Sequence, residues 1–305
     1  LNCAKEYWKS AKLYGIINCK ILIGGTDMDL NWLQSLLFGL LSGLTDILPV
    51  SAQAHKAVFL KLLGLESEPV ILRFMIHVAT FAGLYYCCQN QIIRISRQLR
   101  LAKIPKKRRK RPLDTRTLMD FKLLRMMVIP VFFGFFAYQK TSVWNHSLNW
   151  IALFLLVNSI ILYLPVLLPS GNKDSRSFSP MEGLLIGVGG AVSVIPGISS
   201  VGATTSILQL RGADRTFALN MSLLLQMAVT AGMIVMDVLT MWGSGIDSIS
   251  FGAILCCILA AAAAFAGVFL GVKAMRTLAV NIGFNIFAFY SLGIALFSFI
   301  LFLTA

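Results

Sequence analysis

Hydrophobic residues occur along this chain in long runs that short polar segments separate. A helix needs about 20 apolar residues to cross a bilayer, and six runs come close to that length. They cover 70–93, 123–138, 149–168, 217–241, 250–272 and 279–304. The run 123–138 is short and takes in residues 118–122 to complete its span. The pattern predicts an all-α, polytopic membrane protein with about six transmembrane helices.

Two further apolar segments, 31–63 and 181–210, are interrupted midway by Pro49 and Pro196. Proline lacks a backbone N–H and breaks a helix interior. Backbone groups that a break frees at membrane depth must be satisfied within the protein or a water-filled cavity. We therefore expect these segments to form two re-entrant helical hairpins, each of which reverses near the middle of the bilayer.

Composition supports the same class of protein, because 57% of the 305 residues are hydrophobic and 13% are charged. The net charge of +14 is concentrated in one loop, since 13 of the 27 lysines and arginines lie between residues 94 and 125. Such a loop is predicted to be cytoplasmic and to contact anionic lipid headgroups. Nucleic acid is not an expected partner, because no aromatic-interleaved basic domain accompanies the run.

The two interrupted segments enter the membrane from opposite faces when the loop 94–125 is placed in the cytoplasm. Their sequences also correspond, since "GLTDILP" (43–49) and "GAVSVIP" (190–196) share Gly-x5-Pro. Opposed topology with matching sequence is typical of an inverted repeat. We predict a single integral membrane domain over 28–305, with repeat halves at about 28–138 and 149–272.

Residues 1–27 do not fit this plan. They carry four lysines, and an apolar patch that lysine interrupts, so they lack the clean apolar core and small-residue cleavage site of a signal peptide. We interpret residues 1–27 as an N-terminal extension and expect natural synthesis to start at Met28.

The half-helices that follow the two prolines are candidates for an anion site. Each presents unpaired N–H groups at its start, and the helix dipole together with serine and threonine hydroxyls favours a bound oxyanion. Glycine, serine and threonine also line ordinary tight helix contacts in membranes, and this alternative stays open. Asp46, His55 and Lys56 favour the functional interpretation, because ionisable groups at membrane depth are costly.

The stretches "GLTDILPVSAQAH" (43–55) and "PGISSVGAT" (196–204) resemble the two signature motifs of the undecaprenyl-diphosphate phosphatase family, also called the bacitracin-resistance protein. The resemblance continues through "HVATFAG" (77–83), "IPVFFG" (129–134) and Asp237. It implies a bacterial inner-membrane enzyme that hydrolyses a C55 isoprenyl diphosphate and recycles the lipid carrier of peptidoglycan synthesis. Membrane lipids are further partners, and a homodimer is left open.

The motifs and the resemblance together give a set of candidate site residues. Asp46, His55 and Ser51 are the predicted catalytic residues, and Asp46 is the predicted ligand of Mg²⁺ or Ca²⁺. His77 is interpreted as a residue that bonds between helices. The predicted phosphate-binding residues are Thr45, Lys56, Gly197, Ser199, Ser200, Gly202 and Thr204.

Several positions depart from the family pattern. The first motif usually has a carboxylate where this chain has Ser42, and the second usually has an arginine where it has Ser200. By analogy with arginine fingers, a missing arginine costs about 10³–10⁵ in rate. Two functions therefore stay open, namely a phosphatase of C55 isoprenyl diphosphate and a catalytically degenerate polyprenyl-phosphate binding protein or lipid transporter.

Overall fold

The computed structural model describes residues 30–65, 67–109, 111–138, 141, 144, 147–169, 171–244, 250–281 and 283–304. The predicted extension 1–27 and the start at Met28 lie outside these residues. The described part of the chain contains ten α-helices. They are α1 (Trp32–Ile47), α2 (Ala52–Leu62), α3 (Val70–Ala102), α4 (Thr115–Gly134), α5 (Leu148–Tyr163), α6 (Pro180–Ala191), α7 (Ser200–Leu210), α8 (Arg215–Ser244), α9 (Phe251–Asn281) and α10 (Asn285–Thr304).

Local capping residues fix where several helices begin. The side chain of Asn31 accepts a hydrogen bond from the backbone N–H of Gln34, and the Gln34 side chain accepts one from the backbone of Asn31. Ser179 and Glu182 form the same reciprocal pair at the start of α6. Each pair satisfies two N–H groups that have no partner within the helix.

Five of the described helices are long and apolar enough to cross a membrane, which confirms an all-α, multi-pass membrane protein. They are α3, α5 with the turn that follows it to Leu167, α8, α9 and α10. The predicted span 123–138 corresponds to α4, which begins eight residues earlier, at Thr115, and ends at Gly134. Likewise α3 continues to Ala102, beyond the predicted end at residue 93. Both helices extend into charged sequence because lysine, arginine and glutamine are good helix formers.

The two segments with a central proline each form two helices joined by a short break. We call α1 and α2 the first broken pair and α6 and α7 the second broken pair. The break of the first pair covers 48–51, and that of the second covers 192–199 and includes a 3₁₀ turn at Val192–Val194. Both breaks lie where the sequence predicts them, at Pro49 and Pro196. Re-entry into the bilayer and the inverted repeat stay predictions.

Small residues allow the first broken pair to pack closely on its neighbours. A methyl group added to Gly39 or Gly43 of α1 would collide with the backbone of Ala260 or Ala264 of α9. Gly187 of the second broken pair meets the backbone of α4 in the same way. These contacts hold each broken pair against a long neighbouring helix and so position the two breaks.

Candidate functional site

The breaks of the two broken pairs are in direct contact. The backbone N–H of Gly197 donates a hydrogen bond to the Ser51 hydroxyl at 3.1 Å, and the Ser199 hydroxyl donates one to the carbonyl of Leu48 at 3.3 Å. Asn158 of α5 joins both breaks, because its amide donates to the carbonyl of Pro49 at 3.1 Å and accepts from the N–H of Ser199 at 3.0 Å. Two polar backbone groups of each break are therefore satisfied by the other break or by α5.

Two residues at the breaks have unusual backbone conformations. Ser51, with φ of 61°, is the one residue other than glycine with positive φ in the part of the chain that the structure describes. Gly197 has φ of +104°, a region that residues with a Cβ rarely adopt. At Ser51 this conformation is strained, and such strain persists only where the surroundings impose it and is often found at functional sites.

A polar cavity, which we call the inner cavity, lies beside the two breaks. The space into which the centre of a water molecule fits is about 50 Å³, enough for about four waters. Four elements line it: the first broken pair, the second broken pair, α3 and α8. Its polar lining residues are Thr45, Asp46, Ser51, Gln53, Lys56, His77, Ser193, Ser199, Ser200, Gln226 and Thr230.

Three buried polar atoms of the inner cavity have no hydrogen-bond partner among the described residues. They are the hydroxyl of Ser200 and the amide oxygens of Gln53 and Gln226. A buried polar group without a partner costs about 1–3 kcal/mol, so such groups are normally satisfied by water or a ligand. The cavity therefore presents one free hydroxyl donor and two free oxygen acceptors.

A larger space, the outer cleft, adjoins the inner cavity and shares Gln53, Lys56, His77 and Met233 with it. Its volume by the same measure is about 930 Å³. Its lining includes charged and aromatic polar groups as well as aliphatic side chains. The charged and aromatic residues are Lys56, Lys61, Glu68, Arg73, His77 and Tyr138, and the aliphatic ones include Leu60, Leu65, Val70 and Leu148. The cleft can therefore hold a ligand that has both a charged and an apolar part.

Two sets of charged groups, which we call the charged cluster, lie at the outer cleft. Lys56 Nζ lies 2.8 Å from Glu68 Oε1. Arg73 Nε donates to one oxygen of Asp237 at 2.7 Å, and His77 Nδ1 donates to the other at 2.6 Å. The Asp237 side chain is completely buried, whereas the Arg73 side chain keeps 21% of its surface exposed. Asp237 thus orients two groups of α3 from α8.

The structure divides the predicted site residues into two groups. Asp46, Ser51, Lys56 and three predicted hydroxyl residues line the inner cavity, these three being Thr45, Ser199 and Ser200. Gly197, Gly202 and Thr204 are absent from the lining; Gly202 packs against Pro49, and Thr204 is fully buried. The functional roles assigned to all of these residues stay predictions.

His55 also lies outside the cavity lining. Its Nδ1 donates to the Ser51 carbonyl at 2.8 Å, and its Nε2 accepts from the hydroxyl of Tyr290 at 2.9 Å. The imidazole ring is stacked on the Tyr290 ring. Both ring nitrogens are therefore engaged, and a proton exchange between His55 and a ligand in the inner cavity requires that one bond open. The catalytic role of His55 stays a prediction.

Sequence reasoning missed most of the charged cluster. The prediction that His77 bonds between helices is confirmed by its bond to Asp237 of α8, but its position in the inner cavity was not predicted. No role was assigned to Glu68, Arg73 or Gln226. The available signal was the cost of ionisable groups in apolar sequence, which applies to Arg73, four residues before His77 in a long apolar helix.

The inner cavity offers oxygen ligands to a divalent cation. The carboxylate of Asp46 lines it together with the free amide oxygens of Gln53 and Gln226. The described residues contain no group of three or more His, Cys, Asp or Glu side chains suited to a metal. Magnesium in proteins commonly has one or two carboxylate ligands, completed by phosphate oxygens and waters. The three oxygen donors are of the type that would bind such an ion together with a phosphate ligand.

Comparison with known proteins gives consistent results over most of the chain. The family described as "Bacitracin resistance protein BacA" matches residues 35–297. An undecaprenyl-diphosphatase of Methanobrevibacter smithii is 27% identical over 266 residues, which cover 85% of this chain and 93% of that protein. An undecaprenyl-diphosphatase of Thermosipho melanesiensis is 27% identical over 268 residues, or 88% of this chain and 98% of that protein. This chain is therefore similar to these enzymes over nearly their whole length.

Proposed function

The chain belongs to the bacitracin resistance protein BacA family, and from this premise we propose that it hydrolyses C55 isoprenyl diphosphate to the monophosphate. The relatives' name, undecaprenyl-diphosphatase, supports this reaction. The main structural support is the inner cavity, where the buried Ser200 hydroxyl has no partner beside two helix starts. Hydroxyl donors and helix N-termini are the groups that bind phosphate oxygens in proteins.

The two connected spaces suit the two parts of such a substrate. In this proposal one phosphoryl group occupies the inner cavity, which has about 50 Å³ of space. The Ser51 hydroxyl oxygen accepts a hydrogen bond from the Gly197 N–H, so the hydroxyl proton of Ser51 is available to donate to a phosphate oxygen. The outer cleft then receives the remainder of the head group and the first isoprene units, against Leu60, Leu65 and Leu148.

We assign the proton transfer to His77 rather than to His55. The bond from His77 Nδ1 to Asp237 favours the tautomer in which Nε2 is the free acceptor. His77 then accepts a proton from the water that attacks the terminal phosphorus. The new bond joins water oxygen to phosphorus, the bridging P–O bond breaks, and the lipid monophosphate leaves with its electron pair. His55 supports the strained Ser51 from its position between Ser51 and Tyr290.

A divalent cation belongs to the same proposal. When bound, it supplies positive charge to the phosphate oxygens. Asp46, Gln53 and Gln226 are the residues that would hold it from the protein side. Ser42 does not supplement them, because its hydroxyl donates to the carbonyl of Phe38 within α1.

The second candidate function is a polyprenyl-phosphate binding protein or lipid transporter without hydrolytic activity. Serine at position 200 favours it, because the family motif usually has an arginine there. Ser42, in place of a carboxylate, favours it as well. Binding by the inner cavity and outer cleft requires neither of these groups.

The decisive experiment measures phosphate release from C55 isoprenyl diphosphate by the purified protein, with Mg²⁺, Ca²⁺ or EDTA. We expect metal-dependent release that His77→Gln lowers. Absence of release under all metals and across several pH values would overturn hydrolysis. Transfer of polyprenyl phosphate across liposome membranes without release would then decide for the transporter.

The orientation in the membrane is part of the proposal. We place the loop 94–125 in the cytoplasm of a bacterial cell, because arginine and lysine are concentrated there. Labelling of single cysteines introduced at exposed positions of this loop tests the placement. Labelling by a membrane-impermeant reagent in intact spheroplasts would overturn it.

A further inference from the structure

The proposed substrate carries several negative charges, yet Ser200 occupies the position where the family motif usually has an arginine. Positive groups are instead found in the adjoining outer cleft, where Lys56 and Arg73 are among the lining residues. We propose that Arg73 and Lys56 form a second phosphate subsite, so that a diphosphate spans the inner cavity and the adjoining part of the outer cleft. This inference rests on the proposed function and extends it to residues outside both signature motifs.

Arg73 has donors available for a phosphate. One of its five N–H donors, that on Nε, bonds to Asp237, and the structure gives its two terminal NH₂ groups no hydrogen-bond partner among the described residues. Because Asp237 holds the guanidinium through Nε, the planar group is already oriented before a ligand arrives. Arginine in this state binds phosphate oxygens by charge-assisted hydrogen bonds.

Lys56 connects the two spaces. It lines both the inner cavity and the outer cleft, and Glu68 occupies one of its three N–H donors. Its side chain is 10% exposed, so it is held in a partly desolvated position where its charge acts strongly on a nearby anion.

The spacing suits a diphosphate. Arg73 and His77 are four residues apart on α3, so their Cβ atoms are about 6 Å apart on one helix face. His77 lines the inner cavity and Arg73 lines only the outer cleft. Two phosphoryl groups that share a bridging oxygen can therefore contact the inner cavity and Arg73 at the same time, whereas a monophosphate in the inner cavity does not need Arg73.

The test compares the affinity for a diphosphate mimic with that for a monophosphate. Isothermal titration of the detergent-solubilised protein with farnesyl methylenediphosphonate, which cannot be hydrolysed at its bridge, and with farnesyl monophosphate gives two dissociation constants. The variant Arg73→Gln/Asp237→Asn removes both charges together, so no charge is left buried without a partner, and the amide oxygen introduced at position 237 can still accept the hydrogen bond from His77 Nδ1. We expect it to weaken diphosphonate binding about ten- to a hundredfold and to leave monophosphate binding unchanged.

Arg211→Gln is the matched control, because Arg211 also pairs with a carboxylate, Glu182, but lies outside the lining of the cleft. It should change neither constant. If the double variant does not elute as a monodisperse protein, Arg73→Lys, which keeps a positive charge beside Asp237 but lacks the planar set of donors, supplies the same comparison. The subsite is overturned if the wild type binds both ligands equally, or if the variant loses affinity for both ligands or for neither.

The outcomes separate this inference from the proposed function, since the binding measurement requires no turnover. A diphosphonate preference that depends on Arg73, without hydrolysis of the natural substrate, would refute only the phosphatase. Hydrolysis with no such dependence would refute only the second subsite.

Discussion

The Ser51 hydroxyl accepts a hydrogen bond from the backbone N–H of Gly197, although 146 residues separate the two along the chain. Each residue has positive φ, and each lies at the break of a helix pair. The strained backbone of one break is therefore held in part by the other. The cavity beside them depends on both broken pairs and cannot be attributed to either alone.

Replacement of Gly197 by alanine should destabilise the protein. A Cβ at this position would lie 2.6 Å from the Cβ of Phe154, and the φ of +104° is unfavourable for alanine. The backbone conformation alone costs about 1–3 kcal/mol. Thermal unfolding in detergent measures the effect. Gly293→Ala is the control, because an added methyl group there meets nothing within 4 Å, and an equal melting temperature for the two variants would contradict the prediction.

Asn158→Leu should also lower stability, by about 2–6 kcal/mol. The Asn158 side chain is completely buried, and its loss leaves the carbonyl of Pro49 and the N–H of Ser199 without partners. Each unpartnered group costs about 1–3 kcal/mol. Ser159→Ala, which removes only a bond to the carbonyl of Ala288 in α10, serves for comparison. Denaturant unfolding should rank Asn158→Leu as the less stable variant, and the reverse order would argue against a bridging role.

Substitution of the two histidines should separate their roles in catalysis. If hydrolysis occurs, His77→Gln should lower kcat by about 10²–10⁴, the usual contribution of a general base. His55→Gln should lower kcat less than about tenfold, because glutamine can still donate to the Ser51 carbonyl. Steady-state kinetics over a range of pH distinguishes them. A larger loss in His55→Gln would restore His55 as the proton-transfer residue.

The pH dependence of stability should include a contribution from Glu182, at the exposed start of α6. Hydrogen bonds from the Ser179 backbone and from Arg211 lower the pKa of this carboxyl to about 2. A lowered pKa in the folded state means that the stabilisation is present above the ordinary pKa near 4.5 and is lost as pH falls toward 2. The melting temperature of the wild type should therefore exceed that of Glu182→Gln above pH 5, and the difference should disappear by about pH 2.

The difference in melting temperature between the wild type and Glu182→Gln should be modest, because surface ion pairs contribute little to the free energy of unfolding. Added salt should reduce the part that depends on Arg211. If the two melting temperatures differed by the same amount at pH 2 and at pH 6, Glu182 would stabilise the protein through its shape rather than its charge.

Much of the fold could be predicted from hydrophobic runs and prolines alone. The runs identify the long helices because a bilayer imposes both length and apolar composition. Pro49 and Pro196 identify the breaks because proline disrupts a helix interior, although Pro130 lies within α4 without ending it. Helix ends were predicted less well, as in α3 and α4, since a helix continues through polar residues after the apolar run has ended.

The charged cluster could not be predicted in the same way. Arg73 and His77 meet Asp237 across more than 150 residues of sequence, and their meeting depends on how α3 and α8 are rotated against each other. A single sequence gives the faces of each helix but not the pairing of those faces. His55 is a second example. Its position within a signature motif predicts a contact with a ligand, but the sequence does not reveal that Nε2 of His55 is hydrogen-bonded to the hydroxyl of Tyr290 in α10.

The interlocked breaks also constrain the order in which the chain matures. Ser51 is synthesised long before Gly197, so a nascent chain that has not yet reached residue 197 lacks the partner that holds the first break. The first broken pair can therefore reach its final geometry only after the second broken pair has been synthesised. A truncated protein that ends before residue 180 should therefore be recognised by membrane quality-control proteases rather than accumulate as a stable half.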